Sequence, residues 1–152
     1  MEGISRDVSI RAIAEPDVAS ILAIQSASPE IAQWTTLDYT RVARGDMAGW
    51  VAEAKGEVAG FLVARRVASD LEILNFAVRP EARRTGIGKS LLQAALAWGG
   101  TFHARNALLE VRASNLAALR FYERSGFEVT GRRPRYYAAP IEDALVLTAT
   151  LS

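Results

Sequence analysis

The fold of this chain is decided by residues 78–89, which read VRPEARRTGIGK. The apolar run just before them, residues 71–78, predicts a buried central strand that stops at Pro80. Helical spacing of apolar residues then resumes at Ile87 and continues to Trp98. A basic, glycine-containing loop between a strand and a helix brings free backbone N–H groups and the positive end of the helix dipole together. This stretch therefore predicts a site for an anionic group, with a solvated basic loop of ordinary turn glycines as the alternative.

Two common phosphate-binding motifs do not fit this loop. Residues 88–90 (GKS) resemble the end of a P-loop, but the first glycine of that motif would fall on Arg83. Gly86 and Gly88 match the start of the dinucleotide-binding fingerprint, but its third glycine would fall on Leu91. Both motifs are therefore excluded.

The segments on either side of the loop predict one α/β (α+β) domain over residues 1–152. Pro16 suits the start of a first helix, and Thr36 suits the cap of a second. Residues 55–57 predict a hairpin turn, and Gly126 predicts a left-handed helix end. The result is a mixed central sheet of about six or seven strands flanked by about four helices. Strands are predicted at residues 8–13, 50–54, 58–67, 71–78, 107–112, 127–131 and 144–151, and helices at 16–27, 36–45, 87–98 and 115–125.

The amino-acid composition excludes several kinds of functional site. The chain has no cysteine and a single histidine, His103, which excludes disulfide scaffolds, thiolate zinc sites and cysteine nucleophiles. No metal is expected, and His103 is expected in an exposed loop. The chain has no apolar run near the roughly 18 residues of a membrane span, and residues 1–7 lack the pattern of a secretory signal. A cytoplasmic protein is the resulting expectation.

Charge is distributed unevenly along the chain. Residues 1–75 carry 7 basic and 11 acidic side chains, whereas residues 76–152 carry 11 basic and 6 acidic ones, within a formal net charge of +1. Most of the cationic residues are arginine, whose planar fork suits phosphate contacts. A basic half in a near-neutral chain favours a local anionic ligand over nucleic acid, because the pI of about 8.1 is below that of strongly basic nucleic-acid binders.

A second group of chemistry-bearing residues lies on the next predicted strand and helix. Glu110 is part of an otherwise apolar strand, where an unpaired carboxylate is costly to bury and tends to titrate closer to neutral pH. Such a carboxylate suits a general base; an ion pair with an arginine, or an edge strand, is the alternative. Asn115 is either a functional residue or the N-cap of the helix. Tyr122 is either a functional phenol or a core aromatic.

Taken together with the loop, residues 121–127 (FYERSGF) give the chain a resemblance to a known family. The chain resembles the GNAT superfamily of acyl-CoA-dependent N-acetyltransferases, whose R/Q-x-x-G-x-G/A motif falls on residues 83–88 (RRTGIG). Within that superfamily, residues 109–115 (LEVRASN) and 136–144 (YYAAPIEDA) are similar to the ribosomal-protein-alanine N-acetyltransferases. The resemblance covers residues 71–151 clearly and the N-terminal third more loosely.

The resemblance implies a role for each candidate residue. Glu110 would be the general base and Tyr122 the general acid of acetyl transfer. Trp34 and the Tyr136-Tyr137 loop would border the groove for an acceptor peptide. The residues that would contact acetyl-CoA, through the backbone at the thioester and through the loop at the pyrophosphate, are Phe76, Ala77, Val78, Arg83, Arg84, Thr85, Gly86, Ile87, Gly88, Lys89 and Asn115.

The expected reaction is direct transfer of the acetyl group of acetyl-CoA to a primary amine, since the chain has no cysteine to carry an acyl group. The resemblance implies the N-terminal alanine of a ribosomal protein as the acceptor. An α-amine, with a pKa of about 7.7–8.0, is also easier to deprotonate than a lysine near about 10.4. Pro134-Arg135, ahead of the tyrosine pair, departs from the smaller polar residue usual in the family and leaves the peptide preference open.

Two other functions are weighed against this one. A small-molecule amine acetyltransferase on the same scaffold is the main alternative, and a panel of small amines offered beside an Ala-initiated peptide separates the two. A noncatalytic acyl-CoA-binding module is disfavoured, because both Glu110 and Tyr122 are present.

Overall fold

The computed structural model describes residues 8–151. Residues 1–7, over which no secretory signal is expected, lie outside the described residues, as does residue 152. The described chain folds into one mixed sheet of seven strands with four α-helices, which confirms the predicted architecture. The strands are β1 Val8–Ala12, β2 Ala48–Ala54, β3 Glu57–Val67, β4 Asp70–Val78, β5 Asn106–Arg112, β6 Glu128–Ala138 and β7 Ile141–Thr150; the helices are α1 Val18–Ser26, α2 Thr36–Ala43, α3 Ile87–Gly100 and α4 Leu116–Arg124, with short 3-10 turns at Glu15–Asp17 and Pro80–Ala82.

The sheet contains one short parallel pair. The strand order is β1-β2-β3-β4-β5-β7-β6, and every neighbouring pair is antiparallel except β4 and β5. That parallel ladder ends at the pair Glu72–Leu108, although β4 continues to Val78 and β5 to Arg112. The two strands therefore part beyond Glu72, and the gap that this leaves in the sheet is called the β4/β5 opening below.

A β-bulge in β4 decides which side chains face which layer. Asn75 pairs with Val63 of β3 and Ile73 pairs with Ala64, so Leu74 has no partner on β3. The extra residue inverts the alternation of the strand beyond it. The side chains on the face covered by α3 are Leu71, Ile73, Phe76 and Val78, and those on the opposite face are Leu74, Asn75 and Ala77.

Each face of the sheet has its own apolar core. α3 and α4 cover one face, here called the α3/α4 face, where Leu91 and Leu147 are fully buried. α1 and α2 cover the other, the α1/α2 face, where Ile21 and Phe61 are fully buried. These two helices pack mainly on β2, β3 and β4. Beyond them this face is less covered, and its half-buried side chains include Leu108, Glu110, Val146 and Thr148.

The start of α2 differs by one residue from the sequence prediction. Thr35, and not Thr36, is the N-cap: its hydroxyl accepts a hydrogen bond from the Asp38 amide at 3.2 Å, and the Asp38 carboxylate accepts one from the Thr35 amide at 2.8 Å. The two adjacent threonines hide this in the sequence, because either hydroxyl can cap a helix. Only the acidic residue three positions after the cap separates them.

The largest departure from the sequence prediction is the length of β6. It was expected over residues 127–131 and extends over Glu128–Ala138. Tyr136 and Tyr137 therefore lie in a strand, and the prediction that they form a loop is wrong.

The predicted strand was too short because of Pro134. Pro134 and Arg135 break the strand pattern in sequence, but a register shift between Arg133 and Tyr137 absorbs both residues, with Arg135 at a φ of 54°. β6 is an edge strand of the sheet, where a proline and charged side chains are tolerated. The same residues discourage pairing of this edge with another chain.

Candidate active site

The loop between β4 and α3 has the backbone of an anion site. Gly86 is the N-cap of α3 and has a left-handed φ of 87°, a conformation that favours glycine. The amides of Ile87, Gly88 and Lys89, in the first turn, have no carbonyl partner within the helix. Gly86 has no side chain that could cap them. The helix dipole adds positive potential at the same point.

The cations of this loop have two different roles. Arg84 and Lys89 are exposed and form no ion pair within the described part of the chain. The side chain of Arg83 is engaged instead: its Nε donates to the Val78 carbonyl at 3.1 Å, and its Nη2 donates to the Ser28 hydroxyl at 3.3 Å. In this way Arg83 braces the loop against the segment that follows α1, and its contact with acetyl-CoA stays a prediction.

Aromatic side chains line the α3/α4 side of the β4/β5 opening. The ring of Phe76 lies 5.7 Å from that of Phe121 and 6.2 Å from that of Tyr122, between centroids, and Tyr122 also packs on Phe127. Gly88 lies against the same cluster, since a Cβ built on it would be 3.5 Å from the Phe121 ring and 3.6 Å from the Phe76 ring. Burial alone raises the pKa of Tyr122, so its phenol stays protonated through the neutral range.

The backbone of β4 is partly unpaired along the opening. Beyond Glu72, the side of β4 that faces β5 has no strand partner among the described residues. Apart from the Val78 carbonyl, which accepts from Arg83 Nε, the backbone polar groups that residues 76–78 direct to that side need hydrogen bonds from a ligand or from water. The three residues predicted to face the thioester thus lie at the edge of the opening.

Glu110 lies in β5 between β4 and β7, so the edge-strand alternative is excluded. Its side chain is on the α1/α2 face, opposite to those of Leu109 and Val111, which belong to the other core. Glu110 Oε2 is 2.6 Å from Arg133 Nε, although the N–H does not point at the oxygen, and the carboxylate is 21% exposed. The expectation of an unpaired carboxylate is wrong: the alternative of an arginine ion pair is the observed state.

The arginine partner of Glu110 could not be identified from the sequence. Arg133 lies on β6, which the prediction ended at residue 131. The extra length of this strand brings Arg133 opposite Ala144 of β7 and therefore onto the same face as Glu110. The Arg133 side chain is 59% exposed, and its guanidinium also lies 5.9 Å from the centre of the Tyr136 ring.

The two tyrosines of β6 lie beside the carboxylate. Arg112 stacks 4.3 Å above the Tyr137 ring and forms an ion pair with Glu142 at 3.2 Å, while Glu142 accepts a hydrogen bond from the Ser114 amide at 2.6 Å. Partial burial, and then the negative charge of Glu110, raises the pKa of Tyr137 to about 12. Tyr136 is half exposed and packs edge-on against Tyr137.

Trp34 lies on the same α1/α2 face but borders a separate cavity. This cavity has a volume of about 270 Å³ and is lined by Trp34, Asp38, Met47, Arg65 and Leu74. Leu74 is the bulge residue of β4, so the cavity adjoins the strand that borders the opening. The structure thus places Trp34 with β4, and the tyrosine pair with β5 and Glu110.

Asn115 has the capping position that the sequence offered as one of two alternatives, and His103 is exposed as expected. Asn115 caps α4, because its Oδ1 accepts a hydrogen bond from the Ala118 amide at 3.2 Å. A contact of its remaining amide group with acetyl-CoA stays a prediction. His103 is exposed in a turn after α3.

The described residues lack two kinds of feature. No helix within residues 8–151 is long and apolar enough to cross a membrane. The same residues contain no cluster of three or more His, Asp or Glu side chains placed to hold a metal ion.

A comparison with known protein families bears on this site. The sequence profile of the acetyltransferase (GNAT) family matches residues 16–127, which include the loop, Glu110 and Tyr122. The chain belongs to this family. It is accordingly an acetyl-CoA-dependent N-acetyltransferase.

Individual proteins similar to this chain are also named as N-acetyltransferases. The [ribosomal protein bS18]-alanine N-acetyltransferase of Escherichia coli K12 is 33% identical over 99 residues, 64% of this chain and 67% of that protein. The N-alpha-acetyltransferase of Sulfurisphaera tokodaii is 34% identical over 119 residues, 70% of this chain and 71% of that protein.

Among solved structures, Ard1 from Thermoplasma volcanium has a TM-score of 0.85 at 29% identity, with 96% of this chain and 99% of that one covered. The ribosomal-protein-S18-alanine N-acetyltransferase of E. coli has a TM-score of 0.84 at 25% identity, with 95% and 94% covered.

The first prediction concerns Gly88. The Gly88→Val substitution should lower the affinity for CoA at least about tenfold, because its methyl groups would keep the pyrophosphate from the α3 amides and remove a charge-assisted hydrogen bond. Calorimetric titration with CoA measures the effect. Gly100→Val, in the last turn of the same helix and facing open space, is the matched control and should bind CoA normally. Equal CoA affinity in both variants, each still folded, would show that this loop is not the pyrophosphate site.

Proposed function

We propose that this enzyme acetylates the N-terminal α-amine of a protein, with the N-terminal alanine of a ribosomal protein as the preferred acceptor, and that the whole chain acts as one catalytic domain. The observation that carries the proposal is the position of Glu110. Its carboxylate is on the α1/α2 face, while the anion loop and Tyr122 are on the α3/α4 face, and the β4/β5 opening joins the two. The acceptor and the cofactor can therefore approach one gap from opposite sides.

The residues of the loop fit acetyl-CoA. The free amides of α3 and the unpaired Arg84 and Lys89 would hold the pyrophosphate, and the unpaired edge of β4 at residues 76–78 would bind the pantetheine. Bound acetyl-CoA supplies the thioester carbonyl that the acceptor amine attacks. A backbone N–H near Val78 polarises that carbonyl.

Glu110 accepts the proton of the acceptor ammonium, directly or through one water. In the free protein the Arg133 guanidinium occupies this place at 2.6 Å. The Arg133 side chain is 59% exposed and can move into solvent, so an incoming ammonium can take its position. Arg133 then moves away from Glu110 into solvent. The ammonium of the acceptor thus takes the place of the guanidinium, and the carboxylate has one positive charge beside it throughout.

Tyr122 acts on the leaving sulfur. Its protonated phenol donates a hydrogen bond to the thiolate as the C–S bond breaks. Complete proton transfer is uphill, because a thiol has a pKa of about 8.5 and a phenol one near about 10, and burial raises the pKa of Tyr122 further. Tyr122 therefore stabilises developing negative charge and does not need to give up its proton.

Two arguments favour an α-amine as the acceptor: its pKa is lower than that of a lysine side chain, and the names of two relatives specify an N-terminal acceptor. A lysine side chain would require about 2.5 pKa units, or roughly 3.4 kcal/mol, of additional deprotonation free energy compared with an α-amine. The E. coli relative is named as an alanine N-acetyltransferase of bS18, and the S. tokodaii relative as an N-alpha-acetyltransferase. Both names support an N-terminal acceptor.

The acceptor is tested by offering peptides and small amines side by side. With acetyl-CoA, a peptide that begins with alanine should be acetylated on its α-amine, as mass spectrometry of the fragments would show. The same peptide with a blocked N-terminus and a free internal lysine is the control and should remain unmodified. Turnover of the small amines alone would overturn the proposal in favour of a small-molecule acetyltransferase.

The Glu110→Gln substitution tests the base. It keeps the shape of the side chain and removes proton acceptance, so the rate should fall by about 10²–10⁴-fold at neutral pH. The loss should shrink above about pH 8, where the α-amine is already neutral. Rates measured from pH 6 to 10 provide the check.

Two controls separate the base from its ion pair. Arg133→Ala removes the pair but keeps the carboxylate, and Glu72→Gln makes the same change on a β4 carboxylate that pairs with Arg65. Both should remain within a few-fold of the wild-type rate. An equal loss in Arg133→Ala and Glu110→Gln, or a loss in Glu110→Gln that does not change with pH, would make Glu110 a structural residue.

The Tyr122→Phe substitution tests the acid. It deletes one oxygen and keeps the ring packing on Phe76 and Phe127, so the melting temperature should hardly change. We expect kcat to fall at least about tenfold and the affinity for acetyl-CoA to stay within a few-fold, because the hydrogen bond strengthens only in the transition state. An unchanged kcat would identify Tyr122 as a core aromatic.

A further inference from the structure

The segment between α1 and α2, residues 27–35, is held by three buried polar side chains. This α1–α2 connection carries Trp34 and forms one wall of the cavity beside β4. Gln25 of α1, Tyr39 of α2 and Asn75 of β4, together called the polar triad, are 6%, 0% and 4% exposed. No step of acetyl transfer proposed above uses them, so their burial needs its own explanation.

The hydrogen bonds of the polar triad run among its members and to the connection. The Tyr39 hydroxyl donates to Gln25 Oε1 at 2.5 Å and accepts from Asn75 Nδ2 at 2.9 Å. Asn75 Nδ2 also donates to the Ala32 carbonyl at 3.0 Å. Gln25 holds both backbone groups of Trp34: its Nε2 donates to the carbonyl at 2.9 Å, and its Oε1 accepts from the amide at 3.0 Å.

The triad joins an irregular wall to the strand that borders the opening. Asn75 lies between Leu74, which lines the cavity with Trp34, and Phe76, whose ring is on the cofactor side. Apolar side chains of similar size would fill this core as well, but they could not fix the backbone of Trp34 through two hydrogen bonds. The polar residues therefore determine where the wall lies, in addition to filling space.

We propose that the polar triad is a set of positioning residues that holds the Trp34 wall at a fixed distance from the β4/β5 opening and so sets how tightly the acceptor binds. The inference rests on the proposed function to the extent that the acceptor approaches on the α1/α2 face. The three residues act through Trp34 and touch neither acetyl-CoA nor the reacting atoms.

The decisive variant is Gln25→Met, which keeps side-chain length and removes both hydrogen bonds to Trp34. We expect the KM for the acceptor to rise about five- to tenfold, with the KM for acetyl-CoA within twofold and kcat at saturating acceptor within threefold. Gln93→Met is the matched control, because Gln93 is exposed on α3 and lies outside the α1–α2 connection. Its kinetics should match those of the wild type.

A rise in the KM for the acceptor without a rise in the KM for acetyl-CoA distinguishes a positioning role from a role in the stability of the fold alone. A variant that is only less stable has fewer active molecules, which lowers the apparent kcat and leaves both KM values unchanged. Tyr39→Phe, which removes one oxygen and keeps the ring packing on Phe61 and Trp34, provides the second variant if Gln25→Met does not fold. Its acceptor KM should rise in the same direction by a smaller factor.

The test does not depend on which amine is the acceptor. If the wild-type enzyme acetylates small amines but not peptides, the proposed function fails, and the triad is then tested with the amine that is turned over. A rise in the KM of that amine alone supports the triad. An unchanged acceptor KM in the folded variants, or an equal rise in the KM of acetyl-CoA, overturns it.

Discussion

The early end of pairing between β4 and β5 is the constraint on which the rest of the site depends. A strand inside a sheet ordinarily satisfies its backbone groups on both sides. Here, one side of β4 loses its partner after Glu72, in the middle of the sheet and not at its edge. The gap leaves hydrogen-bonding groups for a ligand, and it connects two faces that a closed sheet would keep apart. The bulge at Leu74 then gives each face its own set of β4 side chains.

The charges of the site are arranged on either side of this gap. On the α3/α4 side, exposed Arg84 and Lys89 stand at the positive end of α3, which suits a polyanionic cofactor. On the α1/α2 side, Glu110 supplies a negative charge that Arg133 neutralises in the free protein. The α3/α4 side thus presents unpaired positive charge, whereas the α1/α2 side presents a carboxylate whose charge is balanced by one arginine.

The features that could be predicted from the sequence were local ones. The strand, glycine loop and helix around residues 78–89, and the left-handed Gly126, depend on neighbouring residues and were confirmed. The ion pair of Glu110 could be predicted from the sequence only as an alternative, because its partner Arg133 lies beyond residue 131, where the predicted strand ended. Gln25, Tyr39 and Asn75 gave no signal, since each is unremarkable in its own segment and they meet only in the folded chain.

The same short ladder has a consequence for how the sheet opens. It divides the sheet into two parts, β1–β4 and β5–β7, each of which pairs its strands antiparallel. The ladder between β4 and β5 is the shortest of the sheet. A region with few contacts opens at a lower free energy than the rest of a structure. We expect the amides of this seam to exchange with solvent earlier than those of the other internal ladders, until a ligand bound across it slows the exchange.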